Sequence, residues 1–559
     1  MTKCNKQTHV SIYCVNNGKT IQVPTGSTLL EIYDKLHLKG LQSLTHAKVN
    51  NVSRSLAYTV YNNKDVEFLD ITSPSGLRVY TRSLFFVLSK ACKDLFPEGS
   101  LRVEAPVSNG YYCQLSLGRM LTEEDIQAIT RRMQEIIDQD IPFVKVVAHT
   151  DEAIKLFSQH GYYSKVKLLQ GNKSLYTKYY TLDGEPDYYY DPLLLSTGQL
   201  SLYGLMRLGD GLLLRVPDSE HPDQLKPLIK QEKMLEVFRE HQRWQDIIGV
   251  STIGELNEAC RNHDKAINII NISEALQEKK ISNIAEEIQR HPEVRLIMIS
   301  GPSSSGKTTF SKRLSVQLMA CGLKPFAFSM DDYFVDRTKT PRDANGDYDY
   351  ESIYALNIPK LQQDLQDLLE GKEVELPKYD FTTGKSSPSG KHLQIDSHTL
   401  LVMEGIHGLN PKLTKDIPDV YKFKIYVSAL TTILLDYHNY IPTSDNRLLR
   451  RIVRDYKYRN YSAEETIGRW QKVQAGERKW IFPYQENADV MFNSALLFEL
   501  AGLRSQALPL LEMVPESSPQ YSEAYRLRKF LNYIVPIRTD ALPPTSLLRE
   551  FLGGSTFHY

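Results

Sequence analysis

One stretch constrains this chain more than any other: RLIMISGPSSSGKTTF, Arg295 to Phe310. An apolar β-type run, Leu296 to Ile299, leads into Gly301-x-x-x-x-Gly306-Lys307-Thr308, and a helix-competent segment, Phe310 to Met319, follows. Strand, glycine-rich loop and helix in that order are the context in which a phosphate-binding loop works. Gly301 and Gly306 free the backbone to turn successive N–H groups inward on an anion. The helix N-terminus adds partial positive charge and Lys307 a point charge for the outer phosphates, while Thr308 offers a hydroxyl to Mg²⁺. A purely structural Gly/Ser turn has no need of the Lys-Thr pair. The stretch therefore predicts a nucleoside triphosphate site built from Gly301, Ser303, Ser304, Ser305, Gly306, Lys307, Thr308 and Thr309.

At 559 residues the chain has room for about three to four domains. Lys+Arg and Asp+Glu number 67 each, so no global attraction to nucleic acid or an anionic membrane is encoded. RNA binding is disfavoured on that ground, though a local patch is compatible with the count. The six cysteines (Cys4, Cys14, Cys92, Cys113, Cys260, Cys321) lack CxxC spacing, which reads as free thiols in a reducing compartment. The N-terminal residues form no apolar leader, and no run reaches membrane-spanning length. The expectation is a cytoplasmic protein without a membrane partner; nothing in the sequence sets its oligomeric state.

Upstream of the loop, VSIYCV and KTIQVP alternate as strands, and Ser27-Thr28-Leu29-Leu30-Glu31 reads as a capped helix start, with Ser27 as the cap. Short β-type runs, AKVNN and DVEFLD, close a small α+β module over residues 1–72. The order of elements and the stretch VPTGSTLLEIYDKL resemble a TGS domain, the β-grasp module at the front of threonyl-tRNA synthetases and some GTPases. The next blocks, LSKACKDLFP, EAPVSNGYYCQLSLGRMLTEEDIQAITRRM and DEAIKLFSQHGYYSKVKLL, resemble the second N-terminal domain of threonyl-tRNA synthetase, over residues 73–222. Where that family has its HxxxH pair this chain has Arg82 and Phe86, and its later Cys and His fall near Tyr189 and Leu193. The resemblance thus carries over a scaffold but neither metal binding nor deacylation. A polar, Pro-containing stretch near Pro217 to Pro227 marks a boundary. A helical connector is expected over 223–290, a phosphate-loop domain over 291–500, and a helical tail over 501–559.

Inside the 291–500 segment a second apolar strand, PFAFSM, ends in Asp331-Asp332-Tyr333-Phe334. An acid at the C-terminal end of a parallel strand sits at the phosphate edge of such a sheet. Asp331 can there accept a proton from an attacking hydroxyl, or hold Mg²⁺ through water. A third strand, HTLLVMEGIHGL, carries Glu404 at its end, where a carboxylate supports the metal's water shell. Arg447, Arg451 and Arg454 form one stripe of a helix, with Arg459 just beyond. Guanidinium groups are the usual counter-charge for a migrating phosphoryl group, and a basic helix late in such a domain suits a closing lid.

Six ordered blocks, GPSSSGKTT, MDDYF, YDYESIYAL, LPKYDFTTGK, VMEGIHGL and RRIVRDYKYRN, resemble the uridine kinase branch of P-loop kinases, related to phosphoribulokinase. The resemblance implies a parallel sheet flanked by helices, ATP with Mg²⁺ as cofactors, and a nucleoside acceptor. It implies Asp331 as the base that activates a 5′-hydroxyl, Lys307, Arg454 and Arg459 at the phosphates, and Thr308 and Glu404 on the metal side. Asp349 and Arg451 would meet the ribose hydroxyls, and Tyr379 and Phe381 would wall the nucleobase. Three positions depart from the family: its pyrimidine-reading histidine is Gly384 here, a lid arginine is Tyr461, and a base-reading glutamine falls near Arg469. Loss of a polar reader removes discrimination, so the base specificity is expected to be rewritten. The reading is a multidomain α/β protein, an ATP-dependent nucleoside kinase with a synthetase-like N-terminal half. The alternatives are an RNA- or translation-linked nucleotide-binding regulator, or a kinase of another small hydroxyl compound.

Overall fold

The computed structural model describes residues 8–171, 174–343 and 346–558; Cys4 lies outside them. The architecture is mixed α/β, with three sheets in the N-terminal part and a parallel sheet flanked by helices further along, as the sequence implies.

The first sheet orders its strands Lys19–Pro24, His9–Cys14, Lys64–Asp70, Leu44–Val49, Val52–Arg54. The pairing of His9–Cys14 with Lys64–Asp70 is parallel and the others antiparallel. Its helix, Leu29–Leu36, is capped by Thr28 rather than Ser27. The reason is the Thr-x-x-Glu spacing. Thr28 Oγ1 accepts from the Glu31 amide at 3.2 Å, and Glu31 Oε2 accepts from the Thr28 amide at 2.8 Å. Ser27 instead donates its hydroxyl to the Pro24 carbonyl.

A long helix, Pro74–Leu95, buries most of its length beside the antiparallel sheet Gly204–Leu208, Gly211–Arg215, Gly110–Ser116, Ser100–Val107. The positions aligned with lost synthetase ligands lie here, filled by packed side chains. Phe86 stacks against Phe143 and Tyr189 with ring centroids 5.9 and 5.7 Å apart, Leu193 is fully buried, and Arg82 pairs with Asp191 at 3.1 Å.

Three helices, Glu232–Ile248, Ile253–Cys260 and His263–Gln289, lead to a parallel sheet ordered Lys324–Ser329, Thr399–Glu404, Leu296–Ser300, Lys422–Ser428, Val490–Asn493. Leu296–Ser300 is central and wholly buried, which is why it reads as an unbroken apolar run. The C-terminal helices Glu499–Glu512, Tyr521–Leu531 and Arg549–Leu552 do not trail away. Leu503, Leu511, Leu527, Leu548 and Phe551 share one core with Ile297, Ile299 and the connector's Ile281 and Ile284. Cys14, Cys92 and Cys113 are buried free thiols. Among the described residues, no helix is long and apolar enough to cross a membrane.

Candidate active site

The strand Leu296–Ser300 delivers the chain to a loop that only glycine can build at two points. A Cβ on Gly301 would stand 1.9 Å from the Val427 carbonyl oxygen. Gly306 has φ +82°, and a Cβ there would meet Leu547 Cδ2 at 2.4 Å. Ser304 also takes a left-handed conformation, φ 59°. The helix Lys307–Ala320 then starts at the lysine itself.

The loop is held from behind by buried ion pairs. Ser303 donates its amide to Glu477 Oε1 at 3.0 Å, and its carbonyl accepts from Arg447 at 3.1 Å. Arg447 and Glu477 are themselves paired and buried. Arg450, fully buried, pairs with Glu499 and reaches the Ser304 carbonyl at 3.3 Å. Two of the arginines on the helix Thr443–Arg459 are therefore bracing for the loop. Arg451 also meets it, donating to Ser303 Oγ at 2.9 Å.

In front of the loop opens a cavity of ≈ 1390 Å³. Lys307, Thr308, Asp331, Glu404, Arg451, Arg454 and Arg459 all line it, so the structure brings these sequence-selected residues together. Glu404 Oε1 accepts from the Thr308 and Ser329 hydroxyls, each at 3.3 Å. Burial and the neighbouring Asp331 push the Glu404 carboxyl up to about 7, against the pull of Lys307. Asp331 is reachable from the cavity, yet the surrounding protein mass holds its carboxyl above the usual range, opposed by Lys307, Arg459 and Arg454. Desolvation draws Lys307 below the usual lysine range, opposed by Glu404, Asp331 and Glu550. Three carboxylates around one lysine leave negative charge over. That surplus, with a hydroxyl and one carboxylate side by side, fits a hard divalent cation completed by water and phosphate oxygens. The buried hydroxyls of Ser304 and Ser305, which have no protein partner, fit a phosphate chain on the loop.

The three cavity-lining arginines share one acid. Asp455, itself buried, lies 3.2 Å from Arg451, 2.9 Å from Arg454 and 3.6 Å from Arg459. Desolvation and the mutual repulsion of the guanidinium groups lower Arg459, and desolvation lowers Arg451 despite Asp455. Three cations on one carboxylate leave positive charge free to face an incoming anion.

At the far end of the cavity Tyr379 and Phe381 meet edge to face, centroids 4.9 Å apart, and Phe334 lies 5.5 Å from Tyr379 and 5.9 Å from Phe381. Tyr379 is buried in this ring cluster, whereas Phe381 is 58% exposed and lines the cavity. The Asp349 carboxylate accepts from the Glu351 amide at 3.2 Å, between the cavity-lining Tyr348 and Tyr350. Glu351 lines the cavity. Burial pushes its carboxyl up to about 7, with Glu477 adding repulsion and Arg451 opposing.

Residues 296–497 match the model of the Phosphoribulokinase / Uridine kinase family. The C-terminal part of the chain thus contains a region similar to that family of kinases. A uridine kinase of Staphylococcus haemolyticus is 29% identical over 197 residues, 35% of this chain and 86% of that one. A solved structure of a possible uridine kinase from Bacillus stearothermophilus is 20% identical with TM-score 0.27, covering 38% of this chain and 98% of that one. The N-terminal region has different relatives. A threonine--tRNA ligase of Methylobacillus flagellatus is 28% identical over 201 residues, 34% of this chain and 31% of that one. A second, from Parafrankia, is 31% identical over 147 residues, 26% of this chain and 21% of that one. The chain spans less than a third of the length of these ligases.

The sequence reading passed over four residues that the fold brings to the site: Glu351, Glu477, Arg337 and Glu550. Glu351 stands within a block already singled out, two residues from Asp349, and alternation along that segment was the available signal. Glu477 and Glu550 come from distant helices and had none.

Proposed function

We propose that this protein is an ATP-dependent kinase that transfers the γ-phosphoryl group to the 5′-hydroxyl of a nucleoside or nucleoside-like alcohol. The observation that carries the reading is the convergence of Lys307, Thr308, Asp331, Glu404 and three lid arginines on one cavity. In this reading the loop Gly301–Thr309 cradles the triphosphate of ATP, and Thr308 with Glu404 would hold Mg²⁺, which supplies charge neutralisation on the phosphates. Asp331 accepts the acceptor's hydroxyl proton. Arg454 and Arg459 stand opposite as counter-charge for the migrating group, and Arg451 with Glu351 meets the hydroxyl-bearing part of the acceptor. Tyr379, Phe334 and Phe381 present ring faces to a planar group. Residues 291–500 hold this chemistry; the segments 1–72 and 73–222 serve structure or recognition, and 223–290 with 501–559 brace the domain.

The test is turnover by Asp331→Asn and Lys307→Ala in folded, full-length protein. A base or phosphate contact of this kind contributes about 10²–10⁴ in rate, so both variants should fall by at least that lower factor. Turnover within threefold of the unmodified protein in either would remove the assignment.

A second reading, a translation-linked nucleotide switch, draws on the threonine--tRNA ligases similar to the N-terminal region. Submicromolar tRNA binding with a steep salt slope, together with no acceptor phosphorylation, would favour it.

A further inference from the structure

A second cavity, of ≈ 80 Å³, lies between the helices Glu232–Ile248 and His263–Gln289 and the phosphate-loop domain, and it shares no lining residue with the first. Such a volume holds about five to eight waters, or one small ring. Trp244, Ile248, Leu276, Phe492 and Leu496 supply apolar wall. Ser273, Thr431 and Asn446 line it as well, each less than a tenth exposed. Ser273 Oγ, Thr431 Oγ1 and Asn446 Oδ1 are buried there without a hydrogen-bond partner. A buried polar atom left unpaired costs free energy until water or a ligand supplies the missing bond. Three of them on one wall give an occupant something to bind.

Every charged group on this wall is paired or held neutral. Glu240 pairs with Lys280 at 3.0 Å, and Glu499 pairs with Arg450. His241 Nδ1 donates to the Val237 carbonyl at 2.9 Å, and desolvation holds the ring below the usual imidazole range, so it is neutral at pH 7. An ion entering here would give up its hydration and gain no free counter-charge. An uncharged ring with a hydrogen-bonding edge answers both the apolar wall and the unpaired polar atoms.

Two wall residues also belong to the bracing of the phosphate loop. Glu499 accepts from Arg450 Nη2 at 2.7 Å, and Arg450 Nη1 reaches the Ser304 carbonyl at 3.3 Å. Asn446 precedes Arg447 on the helix Thr443–Arg459, and Arg447 donates to the Ser303 carbonyl at 3.1 Å. We propose that this cavity is a second ligand site, separate from the phosphate site, for an uncharged single-ring compound with a hydrogen-bonding edge. Its occupation steadies the loop through Glu499 and Asn446. Binding here does not rest on the kinase reading; the effect on Mg·ATP does.

The experiment is titration calorimetry of the full-length protein at neutral pH with phenol, benzene, benzoate and benzylammonium. Phenol should bind saturably, and about 10-fold or more tightly than benzene, which leaves the polar atoms unpaired, and than either ion. Tryptophan emission should change on phenol binding, and Trp244→Phe should remove that change, which locates the ligand. Thr431→Val combined with Ser273→Ala removes two hydroxyls at nearly constant shape. The double variant should unfold at an undiminished denaturant midpoint and lose most of the preference for phenol over benzene. Saturating phenol should tighten Mg·ATP binding by about 5-fold, and Mg·ATP should tighten phenol binding by the same factor. Absence of saturable phenol binding, equal uptake of benzene, or a preference that survives the double variant overturns the proposal. Phenol that binds and leaves Mg·ATP affinity unchanged overturns the coupling. A protein that binds phenol as described but no Mg·ATP loses the kinase reading and the coupling, and keeps the site.

Discussion

Glu550 accepts a hydrogen bond from the Thr309 hydroxyl at 2.6 Å, although 241 residues separate them. The contact places a carboxylate from the last helix, Arg549–Leu552, at the N-terminus of the phosphate-loop helix. Leu547 lies against Gly306 from the same side, and Lys457 of the helix Thr443–Arg459 donates to the Leu552 carbonyl at 2.7 Å. The C-terminal segment thus touches both the loop and the arginine-bearing helix.

A carboxylate in that position competes for the partial positive charge that a phosphate chain would use. Glu550→Gln keeps the shape and removes the charge. Mg·ATP should bind this variant more tightly, by roughly 3–10-fold, the equivalent of about 1 kcal/mol for a partly screened charge pair. Equilibrium titration checks it. Weaker binding would mean that Glu550 helps to hold the nucleotide.

The N-terminal half and the kinase domain meet through a buried charge cluster. Lys165, 1% exposed, lies 2.7 Å from Asp187 and 2.8 Å from Asp436, and His438 Nδ1 lies 2.7 Å from Asp187. The two carboxylates pull Lys165 above the usual lysine range in spite of burial, and Asp187 is held well below the usual carboxylate range. Lys165→Met leaves two buried carboxylates without their cation, a change that typically costs about 3–5 kcal/mol. Denaturant unfolding, followed by signals from both halves, should show an earlier midpoint in each. An unchanged midpoint would show that the halves fold independently of this junction.

Glu351 and Glu404 both carry carboxyls pushed up to about 7 from an ordinary value of 4.5. The folded protein then holds protons that the unfolded chain has released. The contribution of these two carboxyls to stability is fully present below about pH 4.5 and is lost as pH rises through about 7. The decline is on the order of 3 kcal/mol per carboxyl. Glu351→Gln should flatten part of it, measured by unfolding at pH 5, 6 and 7.5 without Mg²⁺. The readout is the difference between the two proteins, because His46, His241 and His407, held by desolvation below the usual imidazole range, act in the opposite sense in both. A Glu351→Gln protein whose stability follows pH just as the wild type's does would contradict the electrostatics described for Glu351.

How much of this was legible in the sequence differs from element to element. The loop was, because its strand is apolar throughout and its glycines answer local backbone demands. The strand ends carrying Asp331 and Glu404 followed from the same parallel-sheet logic. The arginine stripe was legible as a helix but not in its division of labour. Arg447 and Arg450 turn inward on Glu477 and Glu499, partners contributed by helices far along the chain, while Arg451, Arg454 and Arg459 face the cavity. The family resemblance singles out Asp349, and the same turn also carries Glu351 into the cavity. Ser27 and Thr28 both offer a capping hydroxyl; only Thr28 has a glutamate three residues on. Arg337 was out of reach of any local pattern, since its placement depends on the empty space at Gly384, 47 residues later.

The central claim is that the loop ending in Lys307-Thr308 holds Mg·ATP next to Asp331. Titration calorimetry with Mg·ATP on the unmodified protein, Lys307→Ala and Asp331→Asn tests it most directly. The prediction is saturable binding to the unmodified protein and to Asp331→Asn, and binding weakened at least 10-fold in Lys307→Ala, in line with loss of a charge-assisted contact. No uptake of Mg·ATP by the unmodified protein at millimolar concentration would contradict it.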